Sequence, residues 1–326
     1  MGFFYSQFFK KPGYPKASFA GKTVIVTGAN TGLGKEAARH FVRLGASRLI
    51  IAVRSLDKGH DARRDIETTT RCGKGLIQVW ELDMASYESV KRFAARVTAE
   101  LDRVDNVIAN AALASFSYNT AEGNELQVTV NVISTFLLMA LVMPKLKETA
   151  AVFNTRPVFT MVSSDAHTHT TFSQGAAPEG KILDTVNDKN VWSKHQAEQY
   201  PVSKLLGLFT LRAIAEKHPA PLFPVTINAA NPGLCHSALS REAAGSQAVF
   251  FFFFKLFVAR STEVGSRTEV NAAAAGVETH GQYLVDNCEI GSLTPLVTGN
   301  KKLQDRVAAE VFARLEVIEP GVTKNF

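Results

Sequence analysis

The chain has 326 residues, 46% of them hydrophobic, a net charge of +6 and a pI near 9.2, enough to bury the core of one generous domain. Its lysines and arginines are scattered, with no long basic run or nucleic-acid motif, which argues against a nucleic-acid partner and is equally well met by a phosphate-bearing small molecule. Three distant cysteines, Cys72, Cys235 and Cys288, form no C-x-x-C pair, so a structural metal or disulfide framework is excluded and a reduced, intracellular, cytoplasmic setting is expected.

Residues 1–20 read as an N-terminal arm. They are aromatic but interrupted by polar residues, and they lack the apolar core and cleavage site of a signal peptide. Gly2 with Ser6 fits an acylation pattern, but one short enough to arise by chance. No stretch reaches the roughly 18 uninterrupted apolar residues of a spanning helix, so any membrane contact is expected to be peripheral.

Beyond the arm, KTVIVT (22–27) reads as a buried strand, and residues 34–44 carry helical apolar spacing. The alternation then repeats: strand RLIIAV (48–53), a polar helix over 57–69, strand LIQVWEL (76–82), a helix over 86–101 and strand VDNVIA (104–109). A long helical pattern over 121–149 precedes strand PVFTMVS (157–163), a polar segment to about 199, a helix over 200–217 and strand VTINAA (225–230). This rhythm predicts an α/β fold: a single Rossmann-type, doubly wound domain with a parallel sheet flanked by helices. The domain is expected over 21–300, with a substrate loop at 165–199 and a lid region at 235–262, followed by a C-terminal helix and tail at 301–326.

TGANTGLG follows the first strand directly and opens the first helix. Glycines there let the backbone turn tightly and approach a pyrophosphate, whose charge suits the helix N-terminus. Gly28, Asn30, Thr31, Gly32, Leu33 and Gly34 are therefore the candidate cofactor loop. At the end of the second strand Val53 offers no acid for a ribose 2′-hydroxyl, and Arg54 follows it. A guanidinium suits a 2′-phosphate, so NADP(H) is the expected cofactor, against the blander reading of Arg54 as a solvated loop residue. Asp83, ending the third strand, either accepts from the adenine amino group or caps the helix beginning near Ser86.

Two Y-x-x-x-K patterns occur, Tyr87 with Lys91 and Tyr200 with Lys204. Roughly 0.3 such pairs are expected by chance, so context decides between them. Tyr200–Lys204 opens a helix before a strand and lies downstream of Ser163–Ser164 at another strand end. Tyr87–Lys91 has no such serine and reads as ordinary surface.

TGANTGLG, ELD (81–83), ANAA (109–112), Asn131 in VTVNVIST, VSS (162–164), YPVSK (200–204) and NPG (231–233), in this order, resemble the short-chain dehydrogenase/reductase family over about residues 20–240. TGANTGLGKE, the Arg after the second strand, SSDAH and NPGL further resemble its retinol-dehydrogenase-like branch, as found in fungal natural-product pathways. The resemblance implies Tyr200 as general acid/base and Ser164, rather than Ser163, as the group holding the substrate oxygen. It also implies that Lys204 binds the nicotinamide ribose and lowers the tyrosine pKa, and that Asn131 anchors water in a proton relay. Asn110 would line the cofactor pocket, and Ser237 would replace a common threonine near the carboxamide. The chemistry fits these types, since a phenol becomes a neutral-pH acid only beside positive charge, and a serine hydroxyl can stabilise a developing oxyanion.

Ser164 and Tyr200 stand 36 residues apart, about three times the separation in compact members of the family, so an insertion is expected beside the site. His167 and His169 in it lack further ligands at suitable spacing, so no metal is expected. Trp192 and His195 could stand at the start of the Tyr200 helix, and neither His195 nor His236 can be assigned to substrate. The run Phe250–Phe254 admits core or inter-subunit packing, a lid over a bulky apolar carbonyl or alcohol substrate, or membrane-surface docking. Homo-oligomerisation stays open. A non-catalytic NADP(H)-binding sensor or scaffold is the alternative function, disfavoured because such a protein has no use for the Ser, Tyr and Lys set.

Overall fold

Eight strands form one sheet in a computed structural model that describes residues 3–236 and 258–326. The elements, in chain order, are α1 (Phe3–Phe9), β1 (Thr23–Thr27), α2 (Gly32–Arg43), β2 (Arg48–Val53), α3 (Leu56–Thr70), β3 (Ile77–Glu81), α4 (Tyr87–Glu100) and β4 (Asn106–Ala109). There follow α5 (Ser134–Phe153), β5 (Val158–Val162), α6 (Gln199–Lys217), β6 (Thr226–Asn231), α7 (Thr262–Ala274), β7 (Tyr283–Val285), β8 (Glu289–Ile290) and α8 (Lys301–Ile318). The strand order is β8-β7-β6-β5-β4-β1-β2-β3, parallel throughout except for the antiparallel β7–β8 edge. The expected doubly wound sheet is present.

Why these segments pair is visible in β1, β4, β5 and β6, every residue of which is buried. Parallel strands covered on both faces require continuous apolar runs, and alternate side chains then feed opposite cores. Ile25 joins a core with α4, α5, α6 and α8, whereas Val24 and Val26 join one with α2, α3 and α7. The order reverses between β1 and its neighbours, opening a crevice at the carboxyl ends of β1 and β4.

Two expected elements differ. The helical pattern over 121–149 begins instead as a two-stranded ribbon, Thr120–Ala121 against Asn124–Glu125, because Gly123 and Glu122 adopt positive φ in its turn. A helix then runs from Leu126 to Phe153, interrupted by a π turn at Thr129–Ile133. The most apolar 18-residue stretch of this 28-residue helix has a mean hydropathy of 2.0, long and apolar enough to cross a membrane, but 89% of that stretch is buried inside the protein. Its apolarity is that of a core helix.

The polar segment 165–199 is not a simple loop. It folds into short helical turns, among them Asp165–Thr168, Ile182–Asn187 and Lys189–Lys194. Their exposed backbone groups find partners on α8: Glu310 accepts from the Ile182 and Leu183 N–H groups, and Arg306 donates to the Gly175 and Ala177 carbonyls. Polar composition here reflects side chains that satisfy one another across long sequence separations.

Candidate active site

Register brings the candidate residues to one edge. Thr27 lies opposite Ala52, Ala109 opposite Met161, and Val162 opposite Ala230. The residues that follow these strands, Gly28, Arg54, Asn110, Ser163 and Ser164, therefore share the carboxyl edge of the sheet.

The glycine loop is built for close approach. Gly28 and Gly32 have φ of +67° and +61°, values that favour glycine. A Cβ on Gly34 would overlap the Asn110 amide, and one on Gly28 would press on Ala111 Cα at 3.0 Å. Asn110 Nδ2 donates to the Thr27 carbonyl at 2.7 Å, so this residue braces the loop from β4. Thr31 occupies the N-cap of α2 in an extended conformation with no side-chain cap bond, leaving the first-turn N–H groups directed out of the helix. Leu33 packs towards Gly265 of α7, while Asn30 is half-buried. Arg54 is exposed beside this loop, with no ion-pair partner among the described residues. Asp83 is not the cap of α4. Ser86 is, accepting from Ser89 N–H, while Asp83 Oδ1 accepts from Ala85 N–H in a local turn.

The second half of the site is a chain of hydrogen bonds around the start of α6. The Ser164 hydroxyl lies close enough to the Tyr200 phenol to act on its titration, and it accepts from Ala166 N–H at 3.1 Å. Ser163 is buried and its hydroxyl has no hydrogen-bond partner among the described residues, so of the two serines it is Ser164 that meets the tyrosine. Lys204 Nζ donates to the Val162 carbonyl at 2.8 Å and lies 5.6 Å from the centroid of the Tyr200 ring.

Burial pushes the Tyr200 phenol up to about 12, with the Ser164 hydroxyl acting in the opposite direction. Lys204 is not among the groups that shift the phenol in this arrangement, and burial lowers the lysine itself to about 8. Its electrostatic partner is Glu269 on α7, fully buried and without a hydrogen bond to either carboxylate oxygen among the described residues. Desolvation raises Glu269 to about 8, and the nearby Lys204 charge works against that rise.

Asn131 sits in the π turn. Its amide is held by Leu113 on both sides, accepting from N–H at 3.0 Å and donating to the carbonyl at 2.9 Å, and it donates to Ser203 Oγ at 3.0 Å. Ser203 in turn donates to the Tyr200 carbonyl at 2.8 Å. Asn131 thus ties the segment after β4 to the first turn of α6. Ser237 and the run Phe250–Phe254, with most of the expected lid region, lie outside the described residues.

Several contributors were not read from sequence. Tyr283 on β7 donates to Asp165 Oδ1 at 2.8 Å, and its ring meets the buried His167 edge-on at 5.0 Å. His167 Nδ1 contacts the Ser164 carbonyl at 2.8 Å, whereas His169 is exposed, so the two histidines of the HTHTH stretch do not converge. His195 lies 3.6 Å from Glu198 at the start of α6, and Trp192 packs on Tyr118. Ser203 was within sight, inside YPVSK. Tyr283 and Glu269 carried no local signal.

A parallel sheet with a glycine loop at its switch point defines a dinucleotide-binding α/β protein. Similarity to known proteins narrows this. A family model for short chain dehydrogenases matches residues 22–166. The chain is 59% identical over 328 residues to the short chain dehydrogenase/reductase dmxR8 of Cryptosporiopsis sp. (strain 8999), covering 100% of both chains. It is 38% identical over 332 residues to the short-chain dehydrogenase anuD of Penicillium roqueforti (strain FM164), covering 99% of this chain and 84% of that one. The chain belongs to the short-chain dehydrogenase/reductase family, whose members are oxidoreductases that use a nicotinamide cofactor.

Solved structures agree in fold. A metagenomic short-chain oxidoreductase in complex with NADP matches with a TM-score of 0.55 at 19% identity, covering 84% of this chain and 100% of that one. An alcohol dehydrogenase from the archaeon Thermococcus sibiricus, complexed with 5-hydroxy-NADP, matches with a TM-score of 0.58 at 17% identity, covering 83% and 99%.

Proposed function

We propose that this protein is an NADP(H)-dependent oxidoreductase interconverting a bulky, largely apolar ketone or aldehyde and the corresponding alcohol, in natural-product biosynthesis. The observation that carries the reading is the meeting of Ser164, Tyr200 and Lys204 at the strand edge that also holds the glycine loop. The loop fits a dinucleotide: Gly28 and Gly32 turn it at positive φ, Gly34 lets it pack against Asn110 without a side chain, and the α2 N-terminus favours negative charge. Gly28, Asn30, Thr31, Gly32, Leu33 and Gly34 would hold the pyrophosphate, Arg54 the 2′-phosphate, Asp83 and Asn110 the adenine side and the inner wall, and Lys204 the nicotinamide ribose. When bound, NADPH supplies the hydride.

Every other part of the step falls to the chain. Ser164 holds the substrate oxygen by a hydrogen bond that strengthens as negative charge develops there. Tyr200 donates its phenolic proton to that oxygen, and the Lys204 ammonium favours the phenolate left behind. Asn131 keeps the first turn of α6, and with it Tyr200, in register through Ser203. In the oxidative direction the same groups act in reverse.

The deciding experiment is cofactor oxidation, followed by absorbance, against bulky ketones, aldehydes and quinones with NADPH and NADH in parallel. Turnover with NADPH in preference to NADH is expected. Arg54→Ala should weaken NADP⁺ selectively by about 1.5–3 kcal/mol, roughly 10- to 150-fold. Equal NADP⁺ and NAD⁺ affinities in the parent protein would overturn the cofactor assignment, and cofactor binding without turnover on any carbonyl would overturn the catalytic one.

A further inference from the structure

We infer that the N-terminal arm docks this protein on the surface of an anionic phospholipid bilayer. The arm inverts the usual arrangement of a surface helix, which buries its apolar side and exposes its polar one. Among the described side chains of α1, the inward ones are Ser6 and Gln7. Gln7 Nε2 donates to the carbonyls of Leu234 and Val258 at 2.7 and 2.8 Å, and Gln7 Oε1 accepts from Leu234 N–H at 3.2 Å. Ser6 Oγ donates to Asp286 at 2.8 Å. Arg260, buried and paired with Asp286 at 2.7 Å, donates to the Ser6 and Lys10 carbonyls, both at 2.6 Å. A seven-residue helix has no stability of its own, so these polar contacts hold it.

The outward side is aromatic. Phe4, Tyr5, Phe8 and Phe9 are 58%, 49%, 54% and 76% exposed. Their rings pair along the helix, Phe4 stacked on Phe8 at 6.2 Å and Tyr5 tilted against Phe9 at 5.6 Å. Exposed Lys11, Tyr14 and Lys16 continue the same arm. An apolar aromatic face flanked by lysines, with Tyr among the rings, is the composition that settles at the headgroup boundary of a bilayer.

Two considerations select a bilayer over a second copy of the chain. The four rings present on the order of 500 Å² of exposed surface, short of the ~800 Å² per partner of a stable protein interface. A second copy would also bring the same net charge of +6 and the same lysines, whereas anionic headgroups complement them. Gln7 grips the chain on both sides of residues 235–257, the region after NPG, so docking would bring the substrate side of the protein to the phase in which apolar substrates dissolve. That last consequence rests on the proposed function; the docking does not.

The test is co-sedimentation of the full chain with vesicles of phosphatidylcholine alone and of phosphatidylcholine with phosphatidylserine. The parent should pellet with the serine-containing vesicles, Phe8→Ser/Phe9→Ser should reduce this at least tenfold, and Lys11→Glu/Lys16→Glu should abolish the preference for anionic lipid. Both variants change exposed side chains and should melt with the parent, and NADPH turnover on a water-soluble carbonyl is measured alongside. Lost sedimentation with unchanged turnover supports docking, and absent turnover in a parent that still sediments counts against the catalytic reading alone. The inference is overturned if the parent stays in the supernatant with both vesicle types, or if Phe8→Ser/Phe9→Ser sediments like the parent. It is also overturned if light scattering finds a parent dimer that this variant dissociates while neither protein binds vesicles.

Discussion

Tyr87–Lys91 on α4 and Tyr200–Lys204 on α6 carry the same spacing, and burial raises both phenols to about 12. A raised phenol therefore does not mark the reactive one; the neighbours do. Tyr87 accepts from Asn124 Nδ2 at 3.0 Å, and Lys91 sits half-exposed, donating to the Ile318 carbonyl at 2.6 Å and paired with Glu319 at 2.8 Å. That pair staples α4 to the chain after α8. Tyr200 instead lies beside the Ser164 hydroxyl, and Lys204 is buried at the end of β5, coupled electrostatically to the buried Glu269, whose carboxylate has no hydrogen-bond partner among the described residues. The same five-residue pattern is a structural brace in one place and, under the proposed function, a set of proton-handling groups in the other, because only α6 starts beside the strand edge where the glycine loop lies.

The sharpest way to break this comparison is the pair Tyr200→Phe and Tyr87→Phe. Removal of a general acid/base costs typically 10²–10⁴-fold in turnover, so Tyr200→Phe should lose that much while retaining fold and cofactor binding. Tyr87→Phe should keep its rate within a few-fold. The reverse outcome would exchange the two assignments.

Next is the buried partner that Lys91 lacks. Glu269 has a folded pKa of about 8 against an ordinary 4.5, so folding takes up a proton there. Its contribution to stability is fully present below about pH 4.5 and lost as the pH rises through 8. Lys204 has a folded pKa of about 8 against 10.5, so the cost of burying its ammonium is relieved between those values as the pH rises. Thermal stability from this pair should pass through a minimum near pH 8. Glu269→Gln should remove the falling limb, an effect of a few kcal/mol, and melting curves of parent and variant at pH 5 to 8 that run parallel would refute it.

A smaller effect is expected at the loop that carries Ser164. Tyr283→Phe deletes the bond to Asp165 and should cost about 1.5–3 kcal/mol of stability, since the acceptor is a carboxylate. Turnover should fall while KM changes little, because Ser164 is loosened rather than removed; a normal kcat in a folded variant would show that the loop needs no such support. Smallest of all is Lys91→Ala. Its ion pair with Glu319 is partly solvated, so denaturant titration should register no more than about 1 kcal/mol. A loss comparable to that at Glu269 would mean that the two patterns differ less than their surroundings indicate.

Local sequence was enough for β1 through β6, since buried parallel strands demand apolar runs and glycine is required where backbone turns at positive φ. It was enough to place TGANTGLG, Ser164, Tyr200 and Lys204 at strand and helix ends, for which spacing along the chain is a sufficient cue. It was not enough where the deciding partner is far away in the chain. Asp83 read as a possible cap of the helix near Ser86, whereas the helix start at Tyr87 makes Ser86 itself the cap. Residues 165–199 read as polar loop because their partners are on α8, more than a hundred residues on. The π turn at Asn131 and the contacts of its amide with Leu113 and Ser203 had no cue in the local sequence. Glu269 carried no local signal amid the charged and small residues of α7; it is buried because α7 lays that face on the sheet and against α2. The arm shows the converse, with Phe8 and Phe9 outward because Arg260 and Asp286, some 250 residues away, take hold of the polar side of α1. Periodicity reports a residue's neighbours along the chain, but the environment that sets its charge, burial and reactivity is assembled from strands and helices that meet only in the folded protein.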